Sequence, residues 1–443
     1  LEGIIDSYDA LCQSSGGVDV SSLVVRTLKV FREDPAFLAG QRQRFTTIAV
    51  DELQDINKPQ FELLDLMSQG ARALLCIGDP DQAIYGFRGS YRSLFLQLSN
   101  SPEVRRSALS DNYRSSATVV RASSAVIEPQ RRPDRPPLRA RRPAGPAVRL
   151  FKAADPAAEG DWIASSIKDL VGGVDSVSVD AARSRAEPGG RLSGGHSFAD
   201  VAVLFRTRAV RDALLPSLLH AGLPLALRDN APLAEEPPFT LVAAALRLIV
   251  NPADPISRRE LAGGLPGILE RLEGLRATLA SRGIEAVIDE LEGGAISVDR
   301  SVPETALADE AIRESAREHG TDLPSFLSRL SLLTRESEGA RRVERVTLLT
   351  FHASKGLEFP VVFIAGAEDG IVPMNDDPDE ERRLFYVALT RARDSLFLSH
   401  CAHRAVHGAL TDCRPSPFLA EIPSDCIQET AGSRRSRGQL TLF

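Results

Sequence analysis

Residues 46–55 read TTIAVDELQD, and residues 74–89 read LLCIGDPDQAIYGFRG. Each is a short apolar run that stops abruptly at carboxylates. A strand buried on both faces is apolar along its length, and in an α/β sheet its carboxyl end opens onto the crevice where ligands bind. Between the two runs lies a helical stretch, KPQFELLDLMSQG, with Asn57 in position to cap it. That order is a βαβ unit, and it requires a parallel sheet. The first run ends Asp51-Glu52. Such a pair suits nucleotide hydrolysis, with one carboxylate for Mg²⁺ and the other for the attacking water.

The 443 residues suffice for two or three domains with real cores. Hydrophobic residues make up 43% and charged residues 26%, ordinary values for a globular protein. No apolar run approaches the roughly 20 residues that span a bilayer. No signal peptide is visible, and because the chain begins at Leu1, a missing front end is expected. A net charge of −7 excludes a molecule that is basic overall, so any nucleic-acid contact must come from a local groove. Five cysteines (Cys12, Cys76, Cys401, Cys413, Cys426) lie far apart without a CxxC pair, which argues for reduced thiols rather than a disulfide scaffold or Fe–S cluster.

Helical spacing covers residues 1–45, and strands are expected at 46–50, 73–78, 148–151, 200–205, 346–350, 360–365 and 395–399. Helices are expected at 156–171, 208–221 and 379–393. Residues 128–147 are rich in Pro and Arg and read as an extended crossing segment; 172–197 reads as a Gly/Ser-rich loop. Residues 232–340 carry helical patterns and no strand-like run, and from about 427 the chain turns polar.

Five blocks fall in order: VDELQD at 50–55, GDPDQAIYGFRG at 78–89, LSDNYRSS at 109–116, TFHASKGLEFPVVF at 350–363 and EERRLFYVALTRAR at 380–393. Together they resemble the later motifs of superfamily 1 DNA helicases of the UvrD/PcrA/Rep type, and RPSPFLAEIP at 414–423 is similar to the segment that closes the last domain in that family. The resemblance implies an α/β fold with tandem RecA-like (P-loop NTPase) domains built on parallel sheets. It implies a partial first motor domain at 1–108, with the end of its inserted helical domain, and a second RecA-like domain in two parts, 109–231 and 341–426. A mostly helical domain, 232–340, is inserted into the second, and 427–443 is expected to be a flexible tail.

The same resemblance implies roles. Asp51 would hold Mg²⁺ and Glu52 would act as catalytic base, with Gln82 sensing the γ-phosphate of ATP. Tyr113 would stack on adenine, Arg114 and Arg391 would be arginine fingers, and Gly356 and Glu358 would lie at the nucleotide, Glu358 on the ribose. A guanidinium fork suits phosphate oxygens. Tyr85, Phe87 and Arg88 would meet single-stranded DNA, with Phe87 stacking on a base, and Thr350, His352 and Lys355 would grip its backbone. The implied activity is ATP-dependent 3′→5′ helicase or translocase work in DNA repair or replication, on single strands and single-strand/duplex junctions, in the bacterial cytoplasm at the nucleoid.

A P-loop needs G-x-x-x-x-G-K-[ST]. None of the five lysines (Lys29, Lys58, Lys152, Lys168, Lys355) follows a glycine, so the phosphate cradle is absent from this chain. Weak ATP turnover by the chain alone is therefore expected, as are exposed edges and an apolar face on its first two strands. A non-catalytic accessory protein that binds DNA and a sliding clamp is the alternative. The terminal Gln439-Leu440-Thr441-Leu442-Phe443 is similar to the peptide by which bacterial repair proteins dock on that clamp, with Leu442 and Phe443 as apolar anchors. The residues His400, Cys401, His403 and His407 look superficially like a metal cluster but lack further ligands at zinc spacing. The arginine run 131–142 is read as a solvated surface loop, with contact to DNA phosphates as the other possibility.

Overall fold

The computed structural model describes residues 2–14, 18–132, 135–172, 195–228, 238–262, 267–293, 296–300, 303–330, 344–374, 377–406 and 409–431. The chain forms two compact units: Leu1–Leu38 with Leu227–Arg342, and Ala39–Ala226 with Val343–Phe443.

The second unit holds two sheets of unequal size. Strands β1 (Thr47–Val50) and β2 (Ala73–Cys76) pair in parallel, from Thr47 opposite Ala73 to Val50 opposite Cys76. The helix between them, Lys58–Ser68, starts at a capping box: Asn57 Oδ1 accepts from Gln60 N at 3.0 Å, and Gln60 Oε1 accepts from Asn57 N at 2.9 Å. A short parallel pair, β3 (Asp111–Asn112) and β4 (Arg139–Ala140), follows.

The larger sheet has seven strands: β5 (Val148–Ala153), β6 (Val201–Phe205), β7 (Leu225–Arg228), β8 (Val346–Thr350), β9 (Phe359–Ala365), β10 (Ala392–Cys401) and β13 (Ile427–Ala431). Their order is β13-β5-β10-β9-β6-β8-β7, and the pairs from β13 through β8 are all parallel. β6 lies between β9 and β8 with all five residues buried, as a strand covered on both faces must be. Side chains alternate between faces. Phe363 and Phe397 stack at 4.4 Å and meet Trp162 of the helix Pro156–Val171, while the adjacent Val362, Ile364, Leu396 and Leu398 join Leu384, Phe385 and Val119 in the main core. Helix Pro156–Val171 packs on helix Arg208–His220 at Gly160, where an added Cβ would lie 2.7 Å from Ser217 Cβ.

Strands and helices therefore lie where the periodicity puts them, and the α/β class is as expected. Four strands differ. β11 (His403–Val406) and β12 (Ala409–Asp412) form an antiparallel hairpin that no alternation in the sequence signals. β7 is too short and isolated to read. Residues 427–431, which composition assigns to a polar tail, form edge strand β13 on β5, with Ile427 packed on the core. The neighbouring strand supplies the hydrogen-bond partners that a polar sequence cannot advertise.

The first unit is helical in its described residues. Its core gathers Phe239, Leu246, Leu275, Val287, Ile312 and Phe326. Arg313 pairs with Asp289, Glu292 and Asp309, which ties helix Ile284–Glu292 to helix Pro303–His319.

Candidate functional site

β1 delivers Asp51 and Glu52 to its carboxyl end, both exposed. Glu52 is the one described non-glycine residue with positive φ, 51°. A glutamate in the left-handed region costs on the order of 1–3 kcal/mol and persists only where its surroundings hold it. Here Gln54 Nε2 donates to Glu52 Oε2, and Lys355 Nζ lies 3.4 Å from the same oxygen. Gln54, 1% exposed, also accepts from Asp79 N at 2.9 Å, so one buried amide joins the ends of β1 and β2.

Lys355 comes from the β8–β9 connection, yet its ammonium reaches into the smaller lobe. It donates to Asp55 Oδ2, donates to Gln82 O at 2.9 Å, and sits 5.3 Å from the Tyr85 ring centre. Its side chain is 7% exposed. Burial pushes the Asp55 carboxyl up, against the pull of the Lys355 hydrogen bond and charge. Gln82 Nε2 donates to Asp79 Oδ2 at 3.0 Å.

The two arginine candidates, Arg114 and Arg391, belong to the larger lobe. Asn112 Oδ1 accepts from Arg114 N and Ser115 N, a local turn that presents Arg114. Arg114 Nε meets Glu358 Oε2 at 2.6 Å, and Arg393 lies 3.6 Å from the other Glu358 oxygen. Arg391, just past helix Pro378–Leu389, is 2% exposed and donates to Val387 O, Leu357 O and Thr390 Oγ1. Burial first, then the nearby positive charge of Arg114, bring it down to about 10, while Glu52 and Glu358 pull the other way. Arg114 is paired with Glu358 and the Arg391 nitrogens are bonded within their own lobe, while Asp51 is the exposed carboxylate at the strand end that would fit Mg²⁺. Tyr113, 72% exposed, stands beside Arg114, and Gly356 takes φ 83° in the exposed turn before Glu358.

The aromatic candidates gather as well. Phe87 meets His352 edge-on at 5.4 Å, and Tyr85 lies 6.1 Å from Phe87 and 6.4 Å from His352. Phe87 is 66% exposed, so this cluster presents a ring face to solvent. Thr350 closes β8 beside it, and its Oγ1 accepts from Ala353 N at 3.2 Å. The Arg88 side chain and residues 439–443 lie outside the described residues.

Residues 1–103 match the UvrD/REP helicase N-terminal domain, and residues 107–272 and 305–403 match the UvrD-like helicase C-terminal domain. The chain belongs to the UvrD-like helicase family. DNA helicase II of Haemophilus influenzae is 27% identical to it, over 99% of this chain and 66% of that protein. The ATP-dependent DNA helicase PcrA of Leuconostoc citreum is 28% identical over 98% and 64%, and DNA helicase II of Escherichia coli is 28% identical over 96% and 65%. The chain thus spans just under two thirds of the length of these curated relatives. The parallel seven-stranded sheet is that of a RecA-like helicase domain.

Several residues of this UvrD-like chain escape sequence reasoning. Gln54, Asp55, Glu380 and Arg383 sit inside the motifs, but nothing in their spacing marks them as contacts between lobes. Glu380 Oε1 accepts from Gly86 N at 3.2 Å, and Arg383 Nε donates to Ala83 O at 2.8 Å. The arginine run is a surface segment, as expected, exposed or half-buried throughout its described residues, but four of its guanidiniums are paired: Arg135, the least exposed of them, with Asp79 and Asp81, Arg139 and Arg141 with Asp111, and Arg142 with Asp394. Of these, the motif carboxylates draw only Arg135 inward. His403 pairs with Asp412 at 2.7 Å, away from Cys401. Buried Cys401 lies instead with Glu159 and Glu368 around the guanidinium of Arg404, which already fills the cation position. No described helix is long and apolar enough to cross a membrane.

Proposed function

We propose that this chain forms part of an ATP-dependent DNA helicase or translocase that moves 3′→5′ on single strands in DNA repair or replication, at the nucleoid in the bacterial cytoplasm. One observation carries the reading: Lys355, on the β8–β9 connection of the larger lobe, reaches Glu52 and Asp55 just beyond the end of β1. Bound Mg·ATP would supply the hydrolysable phosphoanhydride. Asp51 would hold the metal, Glu52 would orient and deprotonate the attacking water, and Gln82 would face the terminal phosphate. Tyr113 would cover the base, Gly356 and Glu358 would flank the ribose, and Arg114 and Arg391 would take up charge on the phosphates.

Tyr85, Phe87 and His352, with Thr350 and Arg88, would form the single-strand track. Stacking on aromatic rings tolerates any sequence, as a translocase needs. Lys355 touches both Asp55 and the Tyr85 face, so it would transmit the state of the nucleotide pocket to that track rather than grip DNA from an open surface. The tail residues Gln439, Leu440, Leu442 and Phe443 would dock on a sliding clamp; deleting 439–443 is expected to abolish measurable clamp affinity.

ATP turnover with and without single-stranded DNA tests the proposal. The chain carries no P-loop, so weak turnover is expected from it alone. Joining a P-loop-bearing strand and helix ahead of residue 1 is expected to restore DNA-stimulated hydrolysis, and Arg391→Ala should then lower it about 10³-fold or more. Strong stimulated turnover by the chain alone would refute the stated dependence on a P-loop. DNA binding without stimulation in either form would favour the non-catalytic accessory role.

A further inference from the structure

The loop from Asp79 to Gly86 is gripped residue by residue from the larger lobe. Gln82 O accepts from Lys355, Ala83 O accepts from Arg383, and Gly86 N donates to Glu380. Those three partners lie inside motifs. The hold on Asp79 and Asp81 comes from outside all of them. Arg135, in the Pro/Arg-rich crossing, pairs with Asp81 Oδ2 and lies 3.6 Å from Asp79 Oδ2. Its side chain is 16% exposed and that of Asp81 is 1% exposed.

Asp79 is the link to chemistry. Its Oδ2, the oxygen facing Arg135, accepts from Gln82 Nε2 at 3.0 Å, and its Oδ1 accepts from Asp81 N at 3.1 Å. A planar fork that meets two carboxylates with separate nitrogens fixes their relative orientation, which a single ammonium does not. With Arg135 removed, the Asp79 carboxylate would keep only its bonds to Asp81 N and Gln82 Nε2 within the loop, and nothing from the larger lobe would fix the direction of the Gln82 amide through it.

We propose that Arg135 is a positioning residue for Gln82, acting through Asp79 from the larger lobe, so that the amide faces the terminal phosphate only while the two lobes are joined at this point. The inference rests on the assignment of Gln82 to that phosphate. Arg135 itself touches no nucleotide.

The test titrates the full chain with a fluorescent non-hydrolysable Mg·ATP analogue and with the matching Mg·ADP probe, in wild type, Arg135→Ala, Arg135→Lys and Gln82→Ala. The expected result is that Arg135→Ala lowers the preference for the triphosphate about tenfold, as loss of one hydrogen bond to a charged group would. ADP affinity should stay unchanged, the double variant with Gln82→Ala should be no worse than either single one, and lysine should restore little. Amide hydrogen exchange, which needs no nucleotide, should quicken at 79–86 in Arg135→Ala and not across the seven-stranded sheet. A wild-type preference in Arg135→Ala, with Gln82→Ala impaired, overturns the proposal and spares the Gln82 assignment. A preference that Gln82→Ala also leaves intact overturns that assignment and the proposal with it, and unchanged exchange at 79–86 in Arg135→Ala overturns the proposal whether or not nucleotide binds. Exchange that quickens throughout the sheet makes Arg135 a folding residue and likewise overturns it.

Discussion

Phe87 and Arg404 show how far one residue type can mean opposite things. Phe87 is apolar and 66% exposed, with one edge against His352. Its removal should leave folding intact, because little area is lost from the core. Phe87→Ala is expected to weaken single-strand binding by about 1–3 kcal/mol, read by anisotropy with a labelled oligonucleotide, at unchanged denaturant midpoint. Arg404 is charged and 4% exposed, and it binds Glu159 and Glu368, both fully buried. Arg404→Leu strands two carboxylates, and a loss of about 3–5 kcal/mol is expected in urea unfolding. Burial pushes Glu368 up, but Arg404's hydrogen bond and charge, with the Cys401 amide, outweigh it and hold the carboxyl below its ordinary 4.5. A folded value below the unfolded one means the contribution is complete above about pH 4.5 and is lost as pH falls through the folded value. Glu368→Gln should therefore flatten the acid limb of the stability profile, measured by melting temperature against pH.

Among elements, the helix Lys58–Ser68 is the clearest case of local control. Asn57 and Gln60 satisfy each other's backbone amides, so the start of the helix depends on two side chains three residues apart. Asn57→Ala is expected to cost about 0.5–2 kcal/mol in chemical denaturation. Strand β13 is the reverse case. Its sequence, IQETA, has weak strand character, and it exists because β5 offers an unpaired edge. The crossing segment 135–142 behaves similarly: its extended form follows from its prolines, but its place follows from Asp79, Asp81, Asp111 and Asp394. Composition reveals the charge of such a segment and not the carboxylates that meet it.

The whole second unit couples a seven-stranded sheet with a buried core to a two-stranded one that leaves Leu74, Leu75 and Ile77 at least 40% exposed. Large apolar side chains on a strand with an open edge favour association. Leu75→Ser is expected to reduce concentration-dependent light scattering without changing the far-ultraviolet circular dichroism. Much of this architecture is legible in the chain as written: the apolar runs ending at Asp51 and Asp79, the Asn57 cap and the helical stretch after 232 each depend on neighbours within a few residues, and five ordered motifs carry the family. What could not be read there is who meets whom across long separations. Lys355 reaches Asp55 across 300 residues, Arg135 reaches Asp81, and a guanidinium, not a metal, sits among Glu159, Glu368 and Cys401. Period and capping are local properties of a chain, whereas pairing of buried charges depends on which surfaces the folded sheets bring together.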